Sequence, residues 1–151
     1  MSKIKLSIEL VPETCFCSNL RSELPTKDWD IIRKGAYADA GYRCKICSGK
    51  GSKHPVEAHE VWEYDEKACV QILVGVIALC PDCHTSKHYG LAQIRGNEGK
   101  AISQLMKVNG WSRKEVEKHV CAAFAEWENR SEHKWELDLS WLESRGIKVP
   151  R

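Results

Sequence analysis

Two close cysteine pairs, Cys44-x-x-Cys47 and Cys80-x-x-Cys83, are the residues of this sequence best spaced for chemistry. Each Cys-x-x-Cys turn presents two thiolates to one point, so two such turns complete a tetrahedral zinc site. Four thiolates leave the ion no open position, and its expected role is structural. His84 follows the last cysteine directly and His88 lies four residues on. On a helix both imidazoles point the same way and can hold one divalent ion from a single face. His59, between the two pairs, would reach them across the fold. A histidine near its ordinary pKa of ~6.5 is a serviceable base for water at neutral pH.

The elements that carry these residues are legible from pattern. Ile4 to Leu10 alternates apolar and polar residues, as a half-buried strand does. A helix is expected after Thr26 as N-cap, with Trp29, Ile32, Ala36, Tyr37 and Ala40 at helical spacing and Gly41 as its stop. Val56 to Tyr64 suits a strand with His59 near its middle. Val70 to Leu79 is a dense β-branched run that would deliver Cys80. Pro81 and Asp82 open a helix that would carry Cys83, His84, Lys87, His88 and Leu91. Gly96 to Gly99 reads as a loop. Ala101 to Val108 makes a short amphipathic helix closed by Asn109-Gly110. Another helix starts at Ser112 with Glu115 completing a capping box, and Val116, Val120, Ala123, Phe124 and Trp127 as its buried stripe. Trp135, Leu137 and Leu139 alternate like a final strand.

With 151 residues, 42% of them apolar, the chain can fold around a real core. The expected organisation is a single α+β domain over 1–151, with a zinc core at about 42–95 and a helical C-terminal part at about 97–151. A formal charge of +2 does not by itself argue for nucleic acid. No run approaches a membrane span, and Met1-Ser2-Lys3 does not open a signal peptide, so a cytoplasmic protein is expected. In that compartment metal ligation is a better account of the paired cysteines than disulfides. Cys15, Cys17, Cys69 and Cys121 read as reduced small hydrophobes, with Cys15-x-Cys17 a weak metal or redox candidate. Trp111, Trp127, Trp135 and Trp141 are more often core anchors than partner contacts.

Cys44-Lys45-Ile46-Cys47, Val56-Glu57-Ala58-His59-Glu60 and Ala78-Leu79-Cys80-Pro81-Asp82-Cys83-His84-Thr85-Ser86-Lys87-His88 together resemble the zinc-ribbon branch of the HNH endonucleases. Trp29 to Arg33, His59 to Trp62 and Gly90 to Ala92 resemble flanking motifs of uncharacterised bacterial and phage HNH proteins. The resemblance implies a ββα-metal core and a metal-dependent endonuclease acting on DNA. It makes His59 the general base, His84 a metal ligand assisted by His88, and Glu60 a second ligand or orienter. The expected catalytic ion is Mg²⁺ or Mn²⁺, beside the structural zinc. Lys87, Arg95 and Lys100, downstream of the site, are candidates for phosphate contacts. This sequence departs from the family where Ala58 and Glu60 flank His59, and where Gly75 occupies the place of the middle asparagine. With His59 as base, Ala58 leaves a ligand position vacant; with His59 as ligand, Glu60 stands where the base should be. Two other classes stay open: a zinc-stabilised nucleic-acid-binding module without catalysis, and a protein-interaction domain.

Overall fold

The computed structural model describes residues 4–15 and 20–150. Along the chain run α1 (Leu20–Glu23), α2 (Thr26–Asp39), β1 (Glu57–Asp65), β2 (Val70–Leu79), α3 (Pro81–Lys87), α4 (Tyr89–Ile94), α5 (Glu98–Asn109), α6 (Arg113–Arg130), β3 (Glu136–Asp138) and a 3-10 helix, Ser140–Arg145. The fold is α+β, with a mixed three-stranded sheet in the order β1-β2-β3. β1 and β2 form an antiparallel hairpin in which His59 pairs with Ile77. β3 pairs parallel to the start of β2, so the expected last strand closes the sheet. Between Val61 and Trp62 the register shifts, leaving Val74 as an extra residue beside Gly75. A Cβ at Gly75 would meet nothing within 4 Å, so packing does not demand glycine there.

Two apolar clusters flank β2. One joins Leu6 and Ile8 to Leu79, Tyr89, Ile102, Leu105 and Val116. The other gathers Leu20, Leu24, Ile32, Leu73, Leu139, Leu142 and Ile147. β2 therefore contributes its C-terminal end to the first cluster and its N-terminal half to the second. Its burial is uneven, and Val74 is exposed.

Several expectations need correcting. Residues 4 to 10 bury Leu6 and Ile8 as their alternation implies, but they form no strand. Their backbone is satisfied by other groups: the amides of Lys5 and Leu6 donate to Asn109 Oδ1, that of Ile8 to His119 Nε2, and that of Glu9 to the Lys87 carbonyl. Thr26 is the first helical residue and not the cap; Pro25 precedes it, and its carbonyl accepts from Asp28 and Trp29. The helix after Cys80 ends at Lys87, and His88 is the joint before α4, with φ −92° and ψ 54°. Residues 98 and 99 belong to α5, not to a loop. The capping box of Ser112 and Glu115 is formed as expected. Along α6 only Val116 of the proposed stripe is fully buried, because α6 covers the first cluster from outside. Cys17 lies outside the described residues. Among those described, no helix is long and apolar enough to cross a membrane.

Candidate metal centre

The first cysteine turn is built against the end of the hairpin. The Lys45 amide donates to the Ala78 carbonyl, the Cys44 amide to the Gly49 carbonyl and the Ser48 amide to the Cys44 carbonyl. Gly51 closes this loop: a Cβ there would meet the His54 carbonyl at 2.3 Å and the Pro81 ring at 2.7 Å. The second turn is also the start of α3. Cys80 is its N-cap, its sulfur accepting from the Cys83 amide at 3.4 Å, and Pro81 occupies the first turn without wasting a donor. One contact thus serves as both knuckle and cap.

The four sulfurs of Cys44, Cys47, Cys80 and Cys83 all lie within 4.8 Å of one another, and those of Cys47 and Cys80 are 3.6 Å apart. A tetrahedron with Zn–S bonds of ~2.3 Å requires about 3.8 Å between sulfurs, so the cluster matches zinc. Amide donors ring it: Ile46 and Cys47 donate to Cys44 Sγ, and Gly49 to Cys47 Sγ. Gln104 of α5 donates to Cys83 Sγ at 3.3 Å. Without a cation these thiols oppose one another. The Cys83 hydrogen bond holds the Cys44 thiol down to about 4, whereas burial pushes Cys80 up to about 11. Cys83 is driven upward by its bond to Cys44 and by burial. A zinc ion held there would remove that conflict by accepting all four as thiolates.

A second donor group stands beside the first. Ring nitrogens of His59, His84 and His88 also lie within 4.8 Å of one another. The rings of His84 and His88 are 4.7 Å apart between centroids, and that of His59 is 5.3 Å and 5.1 Å from them. His84 Nε2 and His88 Nε2 approach to 3.1 Å, inside the roughly 3.0–3.4 Å that two donors at ~2.1 Å from one ion would show. The imidazoles from the strand and from the helix end therefore meet, so His59 does reach the pair across the fold. The break at His88 does not separate the pair, since its amide still donates to the His84 carbonyl.

Carboxylates that the sequence did not single out hold two of these rings. Glu57 Oε1 is 2.9 Å from His84 Nδ1, and its other oxygen is 2.8 Å from His54 Nε2. Glu9 Oε2 is 2.6 Å from His59 Nε2, and its other oxygen accepts from Lys87 Nζ at 3.2 Å. Burial pushes both carboxyls up, but their histidine bonds outweigh it, with Lys87 helping at Glu9, and leave each below its ordinary value. Such carboxylate–imidazole pairs fix which ring nitrogen is free to ligate. His59 is 1% exposed and its Nδ1 is buried with no hydrogen-bond partner. Burial lowers His84 below the ordinary histidine value, and burial with the neighbouring imidazoles brings His88 to about 4. Both rings are thus neutral near pH 7, the form that binds metal.

The other expected site residues are divided. Glu60 lines the same cleft as His84 and His88, but its carboxylate accepts from the Leu20 amide at 2.7 Å and serves α1. Lys87 is 7% exposed and donates to Ser7 and Glu9, so it props a carboxylate from within. Arg95 lines the cleft, whereas Lys100 is exposed on α5 outside it. That cleft has a volume of about 1240 Å³. Glu57 was findable: two residues before His59 on a strand, it shares that residue's face. Glu9 carried no such signal. No family model, curated protein or solved structure matches this chain.

Proposed function

We propose that this protein is a metal-dependent endonuclease of the HNH kind, with a ββα-metal core, hydrolysing phosphodiester bonds in DNA. The observation that carries the reading is the meeting of three imidazoles, from β1 and from the end of α3, beside a closed thiolate cluster and an open cleft. A zinc ion in the cysteine cluster would fasten the first turn to the hairpin and the start of α3, and so fix where His84 points.

The burial of His59 and its bond to Glu9 favour a ligand role over that of a base, since a base must reach water. His84 and His88 complete the set. Three imidazoles suit Mn²⁺ or another first-row ion better than Mg²⁺, which prefers oxygen. A divalent ion there would supply Lewis acidity to the phosphodiester and lower the pKa of a water. The remaining work belongs to side chains. Glu57 and Glu9 hold the tautomers of His84 and His59, Lys87 steadies Glu9, and Arg95 offers a charge for a phosphate. Glu60, at the cleft but committed to α1, is placed to orient and not to abstract a proton.

Cleavage of plasmid DNA and of single-stranded DNA with added Mn²⁺, Mg²⁺, Ni²⁺ or Zn²⁺, wild type against His84→Ala, tests the reading. Cleavage that needs a divalent ion and disappears in the variant, with zinc retained, supports it. Undiminished cleavage by His84→Ala, or none by wild type with any ion, overturns it.

A further inference from the structure

We propose that the cleft beside the histidines takes nucleic acid as an unpaired strand, with the Tyr42 ring as a stacking platform for a base and Arg95 as a contact for its phosphate. This inference rests on the nuclease reading and specifies its substrate. The cleft, at about 1240 Å³, is larger than the roughly 300–1,000 Å³ of small-molecule sites, which suits a polymer. Two of the exposed large apolar side chains of the molecule line it, Tyr42 and Leu91. A projecting ring can stack on a base only when that base is free of the duplex stack, and it does so whatever the base.

Charge points the same way. The acids along the cleft are engaged: Asp30 with Arg33, Glu57 with His54 and His84, and Glu60 with the Leu20 amide. Arg95 lines the cleft without an ion-pair partner among the described residues. Its guanidinium is therefore available to contact a phosphate, while the other two arginines of the lining stand against three acids.

Tyr42 supplies the most specific argument. Its φ is +61°, directly after Gly41 at the same angle, and its amide is fixed to the Tyr37 carbonyl at 2.9 Å. Glycine or asparagine would occupy that conformation at less cost than an aromatic residue. The residue is 52% exposed, so packing recovers little of the difference. An aromatic side chain kept at a strained position and half in solvent is explained by what it touches from outside.

Fluorescence anisotropy on the zinc-loaded full chain, with no added divalent ion, separates binding from cleavage. The probes are a labelled 12-nucleotide DNA, the same length of RNA, and a 12-base-pair DNA duplex at equal salt. We expect the unpaired DNA or RNA to bind at least tenfold tighter than the duplex; the two single-stranded arms identify the sugar. Tyr42→Gly should weaken that binding three- to thirtyfold without lowering Tm, and Tyr42→Phe should keep it. Arg95→Gln should reduce the salt slope by about one unit. Duplex binding as tight as single-strand binding, or Tyr42→Gly binding like wild type, overturns the proposal. Tyr42-dependent binding of unpaired strands by a protein that cleaves nothing supports it, and counts against the hydrolytic reading alone.

Discussion

Cys83 and His84 are neighbours in the chain, yet the donor clusters they join are completed by different kinds of group. Around the cysteines the outer contacts are mainly backbone amides, from Ile46, Cys47, Gly49 and Cys83, set by the turns themselves. Around the histidines they are side-chain carboxylates, Glu57 on β1 and Glu9 from the N-terminal segment. Four thiolates close a site, whereas three imidazoles leave coordination positions for water or substrate. Local turns thus make the rigid centre, and tertiary folding makes the open one. Each variant below tests whether that division holds.

The largest effect belongs to Cys83→Ala. A structural zinc contributes on the order of 10–16 kcal/mol, comparable with the whole stability of a domain, about 5–15 kcal/mol. Loss of one zinc equivalent and of the cooperative thermal transition is expected, read by metal analysis and a melting curve. A folded, metal-free variant would erase the distinction between the two clusters. His84→Ala should act oppositely, leaving zinc content and Tm near wild type while cleavage falls by about a hundredfold or more. If it also sheds zinc, the two centres are one unit.

Glu57→Gln comes next. It removes the charge opposite His84 Nδ1 while keeping the side chain's shape. Outer-sphere partners of this kind change metal affinity or activity by about 10–100-fold. The Mn²⁺ concentration for half-maximal cleavage should therefore rise within that range, with zinc unaffected. No change in Mn²⁺ response would mean that Glu57 serves His54 alone.

The same division explains what could be read from the residues in advance. The thiolate cluster depends on spacing within two short turns, so Cys44, Cys47, Cys80 and Cys83 were legible. The hairpin and the helix start at Pro81 follow from residue patterning, and i, i+4 spacing puts His84 and His88 on one face, whereas the arrival of His59 beside them depends on the fold. Lys87 departs from the expected phosphate contact because the short α3 turns it toward Ser7 and Glu9, an orientation fixed by a segment some eighty residues earlier. Glu9 was invisible for the same reason. Residues 4 to 10 alternate as a strand does, but side chains of α5 and α6 satisfy their amides, and no periodicity in the segment foretells that.

The smallest effect is expected where the rigid centre borrows a side chain. Gln104 Nε2 donates to Cys83 Sγ across 3.3 Å and links α5 to the cysteines. Gln104→Leu keeps the volume and removes the donor, while the surrounding amides still serve the other sulfurs. One hydrogen bond to a charged acceptor contributes about 1.5–3 kcal/mol, and Cys83 would remain a zinc ligand. Zinc should stay at one equivalent, with a lower Tm and faster zinc release to a chelator, but a smaller change than Glu57→Gln produces in Mn²⁺ response. An equal or larger loss of metal from Gln104→Leu would show that the thiolate cluster, too, depends on distant side chains, and the contrast between locally and globally built centres would fail.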